Sequence, residues 1–345
     1  MADHTATFIC LKPGLLTGAA RRYVGQLHYN TLGLSQWMLD PTRIEAAVCH
    51  RISAASLPLY FNTATRSPCA HKGSNGRVLL IGGEVGYGGA ILMSAEAALA
   101  AGAGLVRVFT QGEHVTPLLV RTPEVMVTTA PEASSEAFSD RLQEALSWCS
   151  VLAVGPGLGQ GAFGRETMKA VLHHASVNPT KMVVFDADAL NLLATLQTEG
   201  TSLPTLPSSI ITPHPGEAAR LLECSVKKVE RDRLQSAQKL SALLGGACIL
   251  KGPGSIVHSQ PDKKMTIVDA GNAGMATGGM GDVLTGVIAG LAGQSLFPTL
   301  DTLTCAGTLV HSTAADMAVE TVEGAGTRGL RATEIIPYVK HCTNL

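Results

Sequence analysis

Charge of one sign is not in excess in this chain. Lys and Arg total 26 against 27 Asp and Glu, so no broad field exists to draw in nucleic acid or an anionic membrane surface. Aromatic residues are scarce at 4% and charged residues at 15%, while hydrophobic types make up 46% of 345 residues. That mixture suits a compact globule with a large core in one or two domains. Eight cysteines scattered from Cys10 to Cys342 include no pair at metal-finger or redox spacing. The N-terminus also lacks a charged stretch followed by an apolar one, so reduced, buried thiols and a cytoplasmic location are the expectation. No apolar run reaches membrane-spanning length free of charge, since the Ala/Leu-rich stretch Ala90–Val108 is broken by Glu96, glycines and Arg107. A Walker lysine motif is missing too, and the glycines of 82–89 have the wrong spacing for a nicotinamide-dinucleotide fingerprint. An ordinary dehydrogenase is thereby excluded, and any nucleotide must be held another way.

What the chain does have is glycine, 37 residues of it. The most informative stretch is 272–282, where Gly278-Gly279-Met280-Gly281-Asp282 runs straight into an apolar segment, Val283–Ala292, that reads as a helix. Glycines let several backbone N–H groups converge, and a helix N-terminus adds partial positive charge, so the pattern is an anion cradle. A carboxylate beside a bound phosphate is repelled unless it takes a proton or holds a metal, which makes Asp282 a candidate for catalysis. As an alternative it caps the helix, where Asp is favoured.

From His71 onward, strand-like and helix-like segments alternate. Val78–Ile81, Leu105–Phe109, Val151–Val154, Met182–Phe185, Ile210–Thr212 and Cys248–Leu250 read as strands. Ala90–Ala101, Phe163–His174, Ala189–Ala194, Glu217–Leu222 and Val229–Leu244 read as helices. The alternation predicts a mostly parallel sheet covered by helices on both faces. Sites in such sheets gather at the carboxyl ends of strands. There the sequence places Gly82-Gly83, Gly155–Gly159, Asp186-Ala187-Asp188, the segment Thr212–Glu217, and Lys251–Ser255.

Each of these loops has a bland reading and a functional one. Lys251-Gly252-Pro253-Gly254-Ser255 offers an ammonium and turn amides to phosphate oxygens, or is merely a lysine before a tight turn. His214 sits between two prolines in a stiff loop that aims its ring. With Glu217 it gives only two metal-ligand types, which is weak for a metal centre. Asp186 and Asp188 are candidates to contact Mg²⁺ or order water, with Asp188 alternatively a helix N-cap. His173-His174 lies on a helix and is expected at the surface.

Taken together, the motifs resemble one family. His71-Lys72-Gly73, Gly88-Gly89-Ala90, Ala101–Val106, Gly155–Gly159, Asp186–Asn191, Thr212–Glu217, Lys251-Gly252 and Gly278–Asp282 occur in the order seen in NAD(P)H-hydrate dehydratases, over roughly 50–342. Thr7–Gly14 with Tyr23-Val24-Gly25 resembles the tail of the NAD(P)H-hydrate epimerase domain fused ahead of the dehydratase in many bacterial proteins. The resemblance implies a ribokinase-like three-layer α/β/α sandwich: an epimerase remnant over 1–39, a linker over 40–68 and a dehydratase domain over 69–345. It also implies a lyase that phosphorylates the ring hydroxyl of (S)-NADHX or (S)-NADPHX and eliminates phosphate.

Asp282 would be the catalytic base, with Gly279, Met280 and Gly281 as the anion hole. Ala90, Gly157, His214 and Asp282 would line the hydrate site, and Lys251, Gly252, Pro253, Gly254, Ser255 and Gly281 the nucleotide site. ADP (or ATP) is the implied co-substrate, with Mg²⁺ as cofactor and a homotetramer as the assembly. A bacterial source and an ADP preference are implied by the fusion-type N-terminus. That segment is read as the vestige of a truncated bifunctional protein, poorly folded because its strand lacks a sheet, and dispensable for dehydration. The alternatives left open are a ribokinase-like kinase of a small vitamin-precursor alcohol and a non-catalytic nucleotide-binding remnant.

Overall fold

The computed structural model describes residues 1–40, 42, 47–62, 66–320 and 326–345. Two short strands lie at the N-terminus, β1 (His4–Phe8) and β2 (Gln26–Asn30), and they pair in parallel. The remaining strands form one ten-stranded sheet. In chain order these are β3 (His50–Ile52), β4 (Arg77–Ile81), β5 (Leu105–Thr110), β6 (Met126–Thr129), β7 (Val151–Val154), β8 (Met182–Phe185), β9 (Ser209–Ile211), β10 (Ala247–Leu250), β11 (Ser255–Ser259) and β12 (Lys264–Val268). Across the sheet they run β3-β12-β11-β10-β9-β8-β7-β4-β5-β6. Only β11 opposes the rest, paired antiparallel to both β10 and β12.

Period-two alternation builds the two outer layers. Val78 and Leu80 of β4 point to one face with Val106, Val108, Ala153, Val184 and Ile249, where they meet helices Gly88–Ala100, Met280–Gly293, Leu300–Glu320 and Ala332–Cys342. Leu79 and Ile81 point to the other face with Phe109, Val154, Phe185 and Leu250, against helices Glu136–Trp148, Ala162–Val177, Asp188–Thr198, Pro215–Leu221 and Arg233–Leu244. A three-layer sandwich with a mostly parallel sheet results, as the alternation predicted. Strand order reverses between β4 and β7, which opens the crevice into which the loops after Ile81 and Val154 project.

Several expectations need correction. The stretch 40–68 is more than an irregular linker in its described part, since β3 extends the sheet and Leu57 and Phe61 are buried in the core. The segment 229–244 is split, because Asp232 turns the chain after helix Val226–Arg231 and then caps the next helix by accepting from the Gln235 N–H at 2.9 Å. The N-terminal strand does have a partner in β2. Leu16 is buried in the core beside the sheet, so the body of the protein is not assembled from His71 onward alone. His174 is buried, with the Lys181 ammonium 3.0 Å from its Nε2, and only His173 faces solvent. Of the eight thiols, all unbridged, Cys149, Cys248, Cys305 and Cys342 are buried, whereas Cys10 and Cys69 are exposed. Among the described residues no helix is long and apolar enough to cross a membrane.

Candidate active site

Helix Met280–Gly293 starts from Gly279, whose φ of 91° lies in the left-handed region that favours glycine. A Cβ there would sit 2.7 Å from the Met93 sulfur and 3.0 Å from the Ala332 Cβ. The Val283 N–H bonds back to the Gly279 carbonyl at 3.0 Å. The amides of Met280, Gly281 and Asp282 precede that bond and lack intrahelical acceptors, which leaves them for an anion. The helix also lies very close to its neighbour: a Cβ on Gly286 would fall 2.2 Å from the Ser94 carbonyl oxygen. Ser94 in turn donates its hydroxyl to the Asp282 carbonyl at 2.8 Å, so Asp282 is fixed relative to the helix that begins near Ala90.

Asp282 lies in the first turn, and no side chain caps this helix, so the capping alternative does not describe it. Its carboxyl is pushed up to about 7, first by burial and then by the Asp186 carboxylate, with Lys251 pulling the other way. Asp186 is 1% exposed and fully bonded. Its Oδ1 accepts from Lys251 Nζ at 2.8 Å and Thr212 Oγ1 at 2.6 Å, and its Oδ2 accepts from Thr285 Oγ1 at 2.8 Å. Burial works against its charge, but Lys251 and these hydrogen bonds outweigh it and hold the carboxyl below its usual range.

Lys251 is the shared cation. Its Nζ also lies 3.8 Å from Glu217 Oε2, and although burial opposes its charge, Asp186, Glu217 and Asp282 together raise its pKa. Glu217 is pushed up to about 7, mainly by burial. Two carboxyls that titrate near neutrality around one partly buried ammonium are what proton transfer at physiological pH requires.

His214 begins helix Pro215–Leu221. Its Nδ1 accepts from the Gly216 N–H at 2.9 Å and the Glu217 N–H at 3.4 Å, while the His214 backbone N–H donates to Glu217 Oε2 at 2.7 Å, a reciprocal cap. An accepting Nδ1 fixes the neutral tautomer with the proton on Nε2, on a half-exposed ring. Burial, Lys251 and Arg220 all lower its pKa, which keeps it neutral. Gly157 and Ala90 meet across the crevice, since a Cβ on Gly157 would lie 3.2 Å from that of Ala90.

The structure thus brings Asp282, Gly281, Lys251, His214 and Glu217 into one cluster and Ala90 and Gly157 into the adjoining wall. Gly281 is close enough to Lys251 that a Cβ there would lie 3.1 Å from its Nζ. Gly252, Pro253 and Gly254 form the turn between β10 and β11, beyond Lys251, and Ser255 opens β11.

Two metal readings change. Both oxygens of Asp186 are taken as described, and Asp188 Oδ2 accepts from the Gly159 N–H at 3.0 Å, so these carboxylates tie loops together. No group of three His, Cys, Asp or Glu able to hold a metal occurs among the described residues. Sequence reasoning also gave Thr212 no role of its own within the Thr212–Glu217 loop, and missed Thr285 and His311. Buried His311 is pushed down to about 4, mainly by burial and against the opposing effect of the Met280 backbone, and so stays a neutral ring near the helix start. Thr285 carried a readable signal, one helical turn after Asp282 on the same face.

A solved structure described as a ribokinase-like superfamily protein from Enterococcus faecalis superposes with a TM-score of 0.73 at 30% identity, covering 86% of this chain and 98% of its own. The class is therefore that of ribokinase-like α/β proteins with a glycine-started helix at the site. The sequence pattern of NAD(P)H-hydrate dehydratase matches residues 78–338, and the chain belongs to that family. A bifunctional NAD(P)H-hydrate repair enzyme from Leishmania braziliensis is 58% identical over 99% of this chain, and the chain spans 62% of that relative's length. An ADP-dependent (S)-NAD(P)H-hydrate dehydratase from Neisseria meningitidis is 36% identical over 81% of this chain and 88% of its own. The Leishmania relative carries the same N-terminal stretch, so that stretch does not argue for a bacterial source.

Proposed function

We propose that this chain dehydrates (S)-NADHX and (S)-NADPHX to NADH and NADPH, using ADP or ATP. The observation that carries the reading is Asp282, a carboxyl titrating at about 7 beside free helix-start amides and the partly buried Lys251. The ring hydroxyl of the hydrate is a poor leaving group, and phosphorylation makes it a good one. Asp282 takes the hydroxyl proton as that oxygen attacks the terminal phosphorus of the nucleotide, whose bond to the αβ-bridging oxygen of ADP or the βγ-bridging oxygen of ATP breaks, releasing AMP or ADP. Amides of Gly279, Met280 and Gly281 stabilise charge on the transferred group. The ring C–O bond then breaks, inorganic phosphate leaves with the electron pair, and loss of a ring proton restores the double bond.

The hydrate lies against Ala90, Gly157 and His214, whose half-exposed Nε2 lies 3.3 Å from Glu217 Oε1 and would turn from that carboxyl to the substrate. The nucleotide lies along 251–255 and Gly281, and its Mg²⁺ neutralises phosphate oxygens. ADP is the expected co-substrate, on the similarity to the Neisseria protein. A cytoplasmic homotetramer is the expected form. Purified (S)-NADHX incubated with ADP and with ATP side by side tests the activity. Reduced-nicotinamide absorbance should return with release of one phosphate per turnover. A stable phosphorylated product without phosphate release would instead make this a kinase, and no turnover with either nucleotide would leave a binding protein.

A further inference from the structure

The turn that follows Lys251 is held by residues near the N-terminus, far from it in sequence. Thr17 donates its hydroxyl to the Gly254 carbonyl at 2.6 Å, with the Pro253 carbonyl at 3.2 Å. The Gly18 N–H donates to that same Pro253 carbonyl at 2.8 Å. The contact is tight: a Cβ on Gly254, at φ 62°, would fall 1.9 Å from the Leu16 carbonyl oxygen. Leu16 itself is 5% exposed and packs into the core, which anchors the segment.

Arg233 completes the device. Its side chain is 2% exposed and its charge is met by Glu230 at 2.5 Å. Nε donates to Thr17 Oγ1 at 3.0 Å, while one terminal nitrogen donates to the carbonyls of Leu250 at 3.3 Å and Lys251 at 3.1 Å. Gly252 lies over the guanidinium, where a Cβ would be 3.0 Å from its nitrogen. One buried cation thus joins the base of the turn to the hydroxyl that holds its tip.

The geometry points to Thr17 and Arg233 as positioning residues for nucleotide binding, with the N-terminal segment acting as the brace that presets the 251–255 turn. This rests on the reading that the turn holds the nucleotide. Carbonyls at 250, 251, 253 and 254 are all turned toward Arg233 or the brace, which fixes the orientation of the intervening peptide planes and so of the amides offered to phosphate. An unbraced turn would have to be ordered at the moment of binding, and that cost appears as weaker affinity. By linkage the effect is reciprocal, so bound nucleotide tightens the brace.

The test uses the full chain with Thr17→Val, which keeps shape and removes the hydroxyl, and Thr17→Ser, which restores it. Thr17→Val should raise the Kd and KM for ADP about 3- to 10-fold, the scale of one or two lost hydrogen bonds, with the KM for NADHX unchanged and Thr17→Ser near wild type. Hydrogen exchange at 251–255, with and without ADP, separates the two claims. No protection by ADP there sinks the nucleotide reading of the turn. Protection together with an unchanged ADP affinity in Thr17→Val sinks the brace alone, as does an equal rise in both KM values.

Discussion

Two glycine turns, one at 278–281 and one at 252–254, meet at the same cluster of charge yet are made rigid in different ways. The first is locked by the domain's own core, with Gly279 pressed against Met93 and Ala332 and the following helix packed backbone to backbone on Ser94. The second projects from a hairpin and is steadied by Thr17, 236 and 237 residues away in sequence from its bonding partners. A core-locked turn places groups for chemistry, where small displacements are costly. An edge-held turn suits a ligand that must enter and leave.

The comparison breaks most sharply at Asp282. Asp282→Asn keeps the shape of the first turn, so turnover should fall about 10²-fold or more while the Kd for ADP is retained. Near-normal turnover would remove Asp282 from the chemistry. Gly279→Ala should come next, because a strained left-handed φ and a sub-van der Waals contact with Met93 together cost about 1–3 kcal/mol of stability, read as a lower Tm. Gly254→Ala would set a Cβ 1.9 Å from the Leu16 carbonyl oxygen at a left-handed φ, so it should lower Tm at least as much and in addition raise the KM for ADP, whereas Gly279→Ala should leave that KM near wild type.

Acidity sharpens the contrast further. Turnover should rise with pH through about 7 as Asp282 loses its proton, and this limb should vanish from the residual activity of Asp282→Asn. Stability runs the other way. The folded-state pKa of Asp282 is raised above its ordinary value, so between that value and about 7 the folded chain binds more protons than the unfolded one, and stability declines as pH rises across the window. Asp282→Asn should therefore melt higher than wild type at pH 8, and the gain should shrink toward pH 5. A smaller effect is expected at His214, whose ring both caps a helix and offers Nε2. His214→Asn retains the cap and should raise the KM for NADHX with little change in Tm, whereas His214→Ala should lose about 1 kcal/mol as well. Equal Tm values for the two variants would show that the cap contributes nothing.

Legibility in the sequence followed locality. Strands Val151–Val154 and Met182–Phe185 are found where their apolar runs place them, because buried parallel strands are read from consecutive residues alone. The glycine-started helix and its Asp282 are equally local. The Asp186–Lys251 ion pair is not, since its partners end different strands and only the sheet order brings them together. Asp186 is legible only as a candidate to contact Mg²⁺ or order water, and the fold alone shows the Lys251 ammonium and two threonine hydroxyls on its carboxylate. The brace was harder still: Leu16, Thr17 and Gly18 carry no pattern that points at residues 250–254, and only the fold reveals that an N-terminal stretch read as dispensable reaches the site.

The crowding of Asp186, Glu217 and Asp282 around a single ammonium has a thermochemical consequence. At pH 7, two of the three carboxyls are poised to accept a proton. A Mg²⁺–nucleotide complex, still net negative, makes a carboxylate beside it harder to keep ionised. Nucleotide binding should then draw protons from solution. The heat observed on titrating ADP into the protein should accordingly differ between buffers of low and high ionisation enthalpy, and the difference divided by the change in buffer enthalpy counts the protons taken up.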